Sequence, residues 1–383
     1  MSCIDEMIAQ LASEGVRHVA LSKMAEYSQT RVEAVDLDET NFVGVDNLVA
    51  DKGGRVDASY PPNTVRLTAY EPGDILLGNI RPYLKKVWRA TNAGGCSGDV
   101  LAVRVDVEHR DRLDSEFLYY LLSSDDFFAY NMQHAKGAKM PRGNKTAIMN
   151  YRIPVPPLEM QREIVRVLDN FTQLEAELEA ELEARRSQYQ HYRHSAVGKP
   201  RFANNEWVPL ASLADIRTGA KPEQISDWGA FPYVNAGTES SGFTNRANSH
   251  GNVVTIPSRG QGGAGHVGYQ RDDFWCGPLC YRIESKSRDL LTRFLYFYLR
   301  NVQGEVVALR KIGSIPAVNK SDLGTILIPV VPLEEQRRVV EVLDKFDTLV
   351  NDISIGLPAE LAARRKQYEH YRDRLLTFKE LAS

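Results

Sequence analysis

The sequence predicts a mixed α/β (α+β) protein built twice, with two related helices, each closing one half of a two-fold-like molecule. Three observations carry this. Residues 154–171 (PVPPLEMQREIVRVLDNF) return as 329–346 (PVVPLEEQRRVVEVLDKF), identical at 12 of 18 positions with a constant offset of 175. A second shared block, ARRSQYQHYR at 184–193, returns as ARRKQYEHYR at 363–372, where the offset has grown to 179. Before each copy runs a stretch of short apolar segments separated by Gly, Pro, Asn and Asp, the pattern of strands and turns. A repeat of this length marks duplicated supersecondary structure, and the slip means that the second copy gained four residues between its blocks.

In chain order, 383 residues suffice for two or three domains, each with its own core, and 43% hydrophobic with 25% charged residues is an ordinary soluble composition. Residues 1–16 should open with a helix, because Ile4, Met7, Ile8 and Leu11 recur at helical spacing. A first domain covers 17–153, with strands at Ile75–Leu77 and Val100–Val105 and helices at Phe117–Leu122 and Phe127–Tyr130. A helical region follows at 154–197, a second domain at 198–328 and a second helical region at 329–383. Val208-Pro-Leu opens the second domain much as Val19-Ala-Leu opens the first, and Phe294–Leu299 parallels Tyr119–Leu122.

Residues 158–194 contain no Gly or Pro, so one helix of roughly 55 Å is expected at 1.5 Å per residue. Ile164, Leu168, Phe171, Leu174, Leu178 and Leu182 form its apolar stripe, and 174–185 repeat Leu-Glu-Ala-Glu, Leu-Glu-Ala-Glu, Leu-Glu-Ala-Arg. The steps of three, four and four residues from Phe171 to Leu182 suit a nearly straight or slightly right-handed helix pair rather than a left-handed coil. Glu175, Glu179 and Glu183 on one side and Glu177 and Glu181 on the other fit a solvated face or a basic partner surface equally well. In the second region Ser354-Ile-Gly-Leu-Pro358 should interrupt the helix, giving segments near 333–354 and 358–378.

The net charge of −3 hides an uneven distribution. Phe127–Arg152 has no acidic residue and carries Lys136, Lys139, Arg142 and Lys145 among Gly137, Pro141 and Gly143, which reads as a basic loop. Arg81, Lys85 and Lys86 form a second cluster around Pro82-Tyr83. In the second domain Ser240–Arg271 is acid-free, with Arg246, Arg259, Gln261 and Arg271; Val306–Ser321 is acid-free, with Arg310, Lys311 and Lys320; Arg217 and Lys221 precede them. Ile315-Pro316…Asn319-Lys320 matches Met140-Pro141…Asn144-Lys145 at the offset of 175. A lone basic cluster is more often a solvated loop than a site, but this one recurs before each repeat. Lys and Arg for phosphates, with Arg, Asn and Gln for base edges, are what a DNA reader needs, and the differences between the halves imply two different readings.

Signals for catalysis fail together. Cys3, Cys96, Cys276 and Cys280 are too few for a disulfide framework, and Cys276-x3-Cys280 lacks the second pair that zinc requires, so buried thiols are expected. Gly260, Gly262 and Gly265 satisfy G-x-G-x-x-G, but His266-Val-Gly-Tyr-Gln continues as a strand where a dinucleotide site needs a helix, so a glycine-rich hairpin is expected. There is no phosphate-binding loop motif, no H-E-x-x-H and no evident nuclease carboxylate pair with a lysine. No run of 18 apolar residues and no secretory n-region occurs, which points to the cytoplasm.

At the motif P-[VP]-P-L-E-x-Q-R-x-[IV]-V-x-x-L-D, each time after a basic G-x-x-x-P or G-x-I-P loop, the chain resembles the specificity subunits of type I restriction-modification enzymes over almost its full length. The resemblance implies two target-recognition domains joined by two long, paired antiparallel helices, each domain reading one half of a split, asymmetric site in double-stranded DNA. It implies that the helices set the spacer and dock two methyltransferase subunits, through which restriction subunits join. Leu158, Gln161, Arg162, Leu333, Gln336 and Arg337 in the repeated motif are the partner-binding candidates. S-adenosylmethionine, ATP and magnesium would sit on partners, leaving this chain non-catalytic, without cofactor or metal. The rivals are a self-sufficient restriction or modification enzyme and a coiled-coil adaptor with no DNA role.

Overall fold

The computed structural model describes residues 14–311, 313–352 and 354–381. The opening helix expected from Ile4, Met7, Ile8 and Leu11 lies outside them. The chain divides into two compact units: one joins the residues up to Ala176 to those from Ala363 onward, and the other is Glu177–Ala362. Among the described residues, no helix is long and apolar enough to cross a membrane.

In the first unit an antiparallel sheet runs in the order Ala25–Tyr27, Val100–Val105, Ile75–Gly78, Val87–Arg89. The strands alternate: Ile75, Leu77, Leu101 and Val103 face Phe117, Leu118 and Leu121 of the helix Ser115–Leu122 and Ile164 and Leu168 of the central helix. Leu76, Val100 and Ala102 face a smaller cluster with Val43, Leu48 and Tyr70. Burial on both faces explains why these strands read as continuous apolar runs. The second unit repeats the plan, with Ala214–Thr218, Cys280–Ser285, Val253–Pro257 and Gly268–Gln270 in order and the helix Thr292–Asn301 packed on the sheet. Antiparallel Val253–Pro257 and Gly268–Gln270 flank the glycine-rich segment, as a hairpin requires. Cys276 and Cys280 are buried thiols at its second, smaller cluster.

Each unit ties its ends together with a two-stranded ribbon leading into the repeat, His18–Ala20 with Arg152–Pro154 and Trp207–Pro209 with Leu327–Pro329. The central helix then runs unbroken over Leu158–Val197. The later region is two helices, Leu333–Asn351 and Leu357–Leu376. At the break a Cβ on Gly356 would lie 2.5 Å from the Thr348 carbonyl oxygen and 2.7 Å from that of Asp352, so only glycine lets the chain pass so close beneath the last turn.

The helical layers are built reciprocally from the two repeat copies. In the first unit Phe171 stacks on Tyr371 at 5.6 Å and Glu175 meets Arg365 at 2.5 Å. In the second Phe346 stacks on Tyr192 at 5.1 Å and the Tyr189 hydroxyl donates to Asp347 at 3.3 Å. Phe171 and Phe346 are repeat equivalents, as are Tyr371 and Tyr192. Each unit therefore takes the first block of one copy and the second block of the other. The expected stripe is uneven: Ile164, Leu168 and Leu182 are buried, whereas Leu174 is 48% exposed.

Two stretches read as loops are partly helical. Phe127–Tyr130, expected as helix, lies in a helix over Asp125–His134 that Ser124 caps and that buries Phe127 and Phe128; further along the stretch expected as a basic loop, Asn144 caps another over Lys145–Asn150 by accepting from Thr146 and Ala147. In the second unit Gln303–Ala308 and Lys320–Gly324 are likewise helical. The loops proper are the segments between.

Gln161 and Gln336, read as partner-binding, are buried and fully occupied. Gln161 donates through Nε2 to the carbonyls of Arg112 (2.7 Å) and Pro156 (2.8 Å) and accepts from the Asp114 N–H at 2.9 Å. Gln336 donates to the carbonyls of Asp289 (2.7 Å) and Val331 (2.6 Å) and accepts from the Leu291 N–H at 2.9 Å. At 0% exposure neither offers a surface to a partner, which corrects that expectation. They pin the start of each long helix to the domain before it. Gln161→Ala or Gln336→Ala, each leaving one buried and two partly buried backbone groups without their amide partner, should destabilise by about 2–4 kcal/mol in urea unfolding. Exposed Arg162→Ala should stay within about 0.5 kcal/mol; equal effects would show that the amides hold nothing.

Candidate nucleic-acid interface

The two basic clusters of the first unit, far apart in sequence, form one ledge. The Arg81 N–H donates to the Pro141 carbonyl at 2.7 Å and the Gly143 N–H to the Asn79 carbonyl at 3.0 Å, while Ile80 bridges Arg142. The loop between is closed by a reciprocal pair, Lys136 N–H to Arg142 carbonyl at 2.9 Å and Arg142 N–H to Lys136 carbonyl at 2.8 Å. Gly137 takes φ of 102° at its turn. Arg81 and Lys85 bracket the turn Pro82–Leu84 in the left-handed region, at φ of 52° and 50°, where side-chain-bearing residues seldom sit without a functional or packing reason.

The second unit repeats this framework bond for bond. The Gly260 N–H donates to the Pro316 carbonyl at 3.1 Å, the Val318 N–H to the Ser258 carbonyl at 2.9 Å and the Lys311 N–H to the Ala317 carbonyl at 2.8 Å, and Arg259 bridges Ala317. The side chains differ: Gly260 stands where Arg81 does and Ala317 where Arg142 does. Gln261 crosses between the two strands of the ledge, donating to the Ser314 carbonyl at 3.2 Å.

The expected side chains divide accordingly. Arg81, Lys136, Lys139, Arg142 and Lys145 are exposed on the first ledge, with Arg142 3.1 Å from Asp99; Arg259, Gln261, Lys311 and Lys320 are exposed on the second, with Lys311 3.4 Å from Asp322. Lys85 instead pairs with Asp125 at 2.7 Å, and Lys86 donates to the Val45 carbonyl at 2.7 Å. Arg310 donates to the Ala264 carbonyl at 2.6 Å, Arg217 pairs with Asp215, and Arg271 turns toward Asp347 and Asp352. Arg246 lines a small cleft with Pro222, Thr244 and Trp275, next to exposed Lys221. Of the motif residues, Leu158 and Leu333 are half-buried and Arg162 and Arg337 exposed. Sequence reasoning missed the apolar tips Met140 and Ile315, 50% and 51% exposed beside the cations, although the repeat alignment pairs them.

Each unit carries a β-rich domain mounted on a copy of the repeated helix and presenting a basic ledge, the make-up of a duplicated recognition protein. The chain belongs to the type I restriction modification DNA specificity domain family, whose model matches residues 101–184 and 204–363. It is 31% identical over 60% of its length to a type I restriction enzyme specificity subunit of Escherichia coli, of which it spans 65%, just under two thirds. It is 27% identical over 71% of its length to one of Haemophilus influenzae, spanning 74% of that protein. In fold it resembles the crystallised type I S subunit of M. genitalium (TM-score 0.64, 17% identity, 94% and 96% of the two chains) and the HsdS subunit of Thermoanaerobacter tengcongensis (TM-score 0.51, 20% identity, 95% and 97%).

Asp125 anchors the first ledge from below, holding Lys85 at 2.7 Å, Lys52 at 3.0 Å and Arg372 at 2.9 Å. Partial burial would raise its carboxyl, but the hydrogen bonds from Lys85 and Lys52 and the charges of Lys52 and Arg372 outweigh it and hold the group well below the usual carboxylate range. A depressed folded value makes the contribution present above the unfolded pKa of roughly 4 and lost as pH falls through the folded one. The Asp125→Asn variant should therefore be less stable than the parent near neutrality, with the gap in unfolding midpoint closing below about pH 4. A gap independent of pH would remove the charge from the explanation.

Proposed function

We propose that this chain is the non-catalytic specificity subunit of a type I restriction-modification complex and that the two ledges are its DNA-reading edges. One observation carries the reading: the same backbone hydrogen bonds build both ledges, while the side chains they present differ. A fixed frame with changeable cations and amides suits two domains that approach DNA alike and read different half-sites. In this reading Arg81, Lys136, Lys139, Arg142 and Lys145 serve one half of a bipartite asymmetric site, and Arg259, Gln261, Lys311 and Lys320 the other. The net charge of −3 fits a chain whose methyltransferase partners share phosphate neutralisation. Those partners, and restriction subunits joined through them, would carry S-adenosylmethionine, ATP and magnesium in the cytoplasm. Exposed Arg162 and Arg337 at the heads of the long helices are the remaining charged candidates for docking them.

In the reconstituted complex, Lys139→Ala and Lys320→Ala should each weaken DNA binding and reduce its salt dependence by about one unit of slope. Unchanged slopes in both would take the ledges off the DNA. A further Leu-Glu-Ala-Glu unit in the central helix adds about 6 Å, against 3.4 Å per base pair. Methylome sequencing should then find a gap longer by roughly one to two base pairs between unaltered half-sites; an unchanged gap contradicts the spacer role.

A further inference from the structure

A cleft of about 780 Å³ opens within the second unit, between the back of the central helix, the strand Gly268–Gln270, the helix Thr292–Asn301 and the end of the helix Leu333–Asn351. Five arginines line it against two carboxylates, Asp347 and Asp352. Two of the five use up those carboxylates. Arg293 meets Asp344 at 2.6 Å and Asp347 at 2.7 Å, with its guanidinium 4.2 Å from the Tyr269 ring centre, and Arg271 reaches Asp347 and Asp352 at 3.5 Å each.

Arg186, Arg193 and Arg300 remain, with no carboxylate partner among the described residues. Arg300 donates to Gln303 Oε1 at 2.8 Å, and Arg193 lies 5.3 Å over the Tyr189 ring with its Nε buried and lacking a hydrogen-bond partner. The repeat supplies an internal control. The equivalents of Arg186 and Arg193 are Arg365 and Arg372, and in the first unit both are neutralised, Arg365 by Glu175 at 2.5 Å and Arg372 by Asp125 and Asp373 at 2.9 Å each. His194 stands where Asp373 does. One unit has matched these two arginines with acids; the other leaves them facing a cleft.

Guanidinium groups gathered in one concavity repel unless an anion joins them, and they favour one that packs several charges onto few atoms in fork-matching geometry. Phosphoanhydrides do this. Peptide carboxylates, spread along a chain at roughly 3.5 Å per residue, do it less well. The cleft volume is that of a small-molecule site, for which about 300–1,000 Å³ is usual. We propose that this cleft binds a polyphosphate of nucleotide size, with Arg186, Arg193 and Arg300 as its anion-binding side chains. His266 lines the same cleft, its imidazole pushed below the ordinary value by burial and the Arg300 charge, which favours the neutral form, and either ring nitrogen's N–H can donate to a phosphate oxygen.

Calorimetric titration of the full chain with ATP, sodium pyrophosphate and adenosine tests this. ATP and pyrophosphate should bind saturably and compete, adenosine should not bind, and Arg300→Gln and Arg186→Glu should each weaken ATP at least tenfold. Tighter binding of ATP than of pyrophosphate identifies a nucleotide as the source, and the reverse a bare polyphosphate. Arg186 is exposed on a helix, so Arg186→Glu decides if Arg300→Gln does not fold. Absence of saturable binding at millimolar ligand, affinity unchanged in both variants, or displacement of ATP by oligoglutamate as effective as by pyrophosphate overturns the proposal. Lys320→Ala, which tests the ledge, should leave ATP affinity intact, so the two readings fail separately.

Discussion

A buried side-chain amide is the joint on which each unit is assembled. Gln161 binds the ribbon exit at Pro156, the Arg112 carbonyl and the N–H of Asp114, and Asp114 in turn caps the helix Ser115–Leu122 by accepting from Glu116 at 2.8 Å. One amide thus fixes where the sheet-packing helix starts and where the long helix leaves the domain. Gln336 does the same through Val331, Asp289 and Leu291. Three satisfied bonds on a side chain that is itself fully buried define one geometry, because any shift strands the buried amide. The orientation of each domain on its helix follows from that.

Above this joint the ledges show how one frame can carry two specificities. Their geometry is set by backbone bonds such as Arg81 to Pro141 and Gly260 to Pro316, which are indifferent to side-chain identity except at the turns. Substitution of Arg81 by Gly260, or of Arg142 by Ala317, changes what is displayed without moving the display. Cations beneath are tied down instead, Lys85 by Asp125 and Arg310 by the Ala264 carbonyl.

Much of this was legible in the sequence, and the failures have physical causes. The repeat announced the unbroken helix, the break near Gly356 and the paired loops, because periodicity, glycine and proline act locally. Gln161 and Gln336 were misread because a polar residue in a repeated motif looks alike whether it faces a partner or an interior; only three-dimensional closure separates the two. Within the basic stretch the helix at Phe127–Tyr130 is legible, but its extension to His134 and the short helix Lys145–Asn150 are not, because the charge pattern masks the Asn144 cap. Lys85 and Arg271 carry the right charge, but their acidic partners, Asp125 for the one and Asp347 and Asp352 for the other, lie at distances in sequence that no local pattern connects; Arg217 pairs with Asp215, only two residues away.

The reciprocal use of the repeat has a consequence for synthesis. The first unit is begun ahead of the second yet is closed by a segment that follows it: Val16 hydrogen-bonds Lys379 and Leu381, Arg372 meets Asp125, and Leu375 and Leu376 enter the core beside Phe117. A growing chain can complete the second unit only once residue 362 has emerged, and the first only some twenty residues later. The domain made first is therefore finished last, and until then it exposes the apolar surface that those final side chains cover, at the stage when a nascent chain is most open to misassociation.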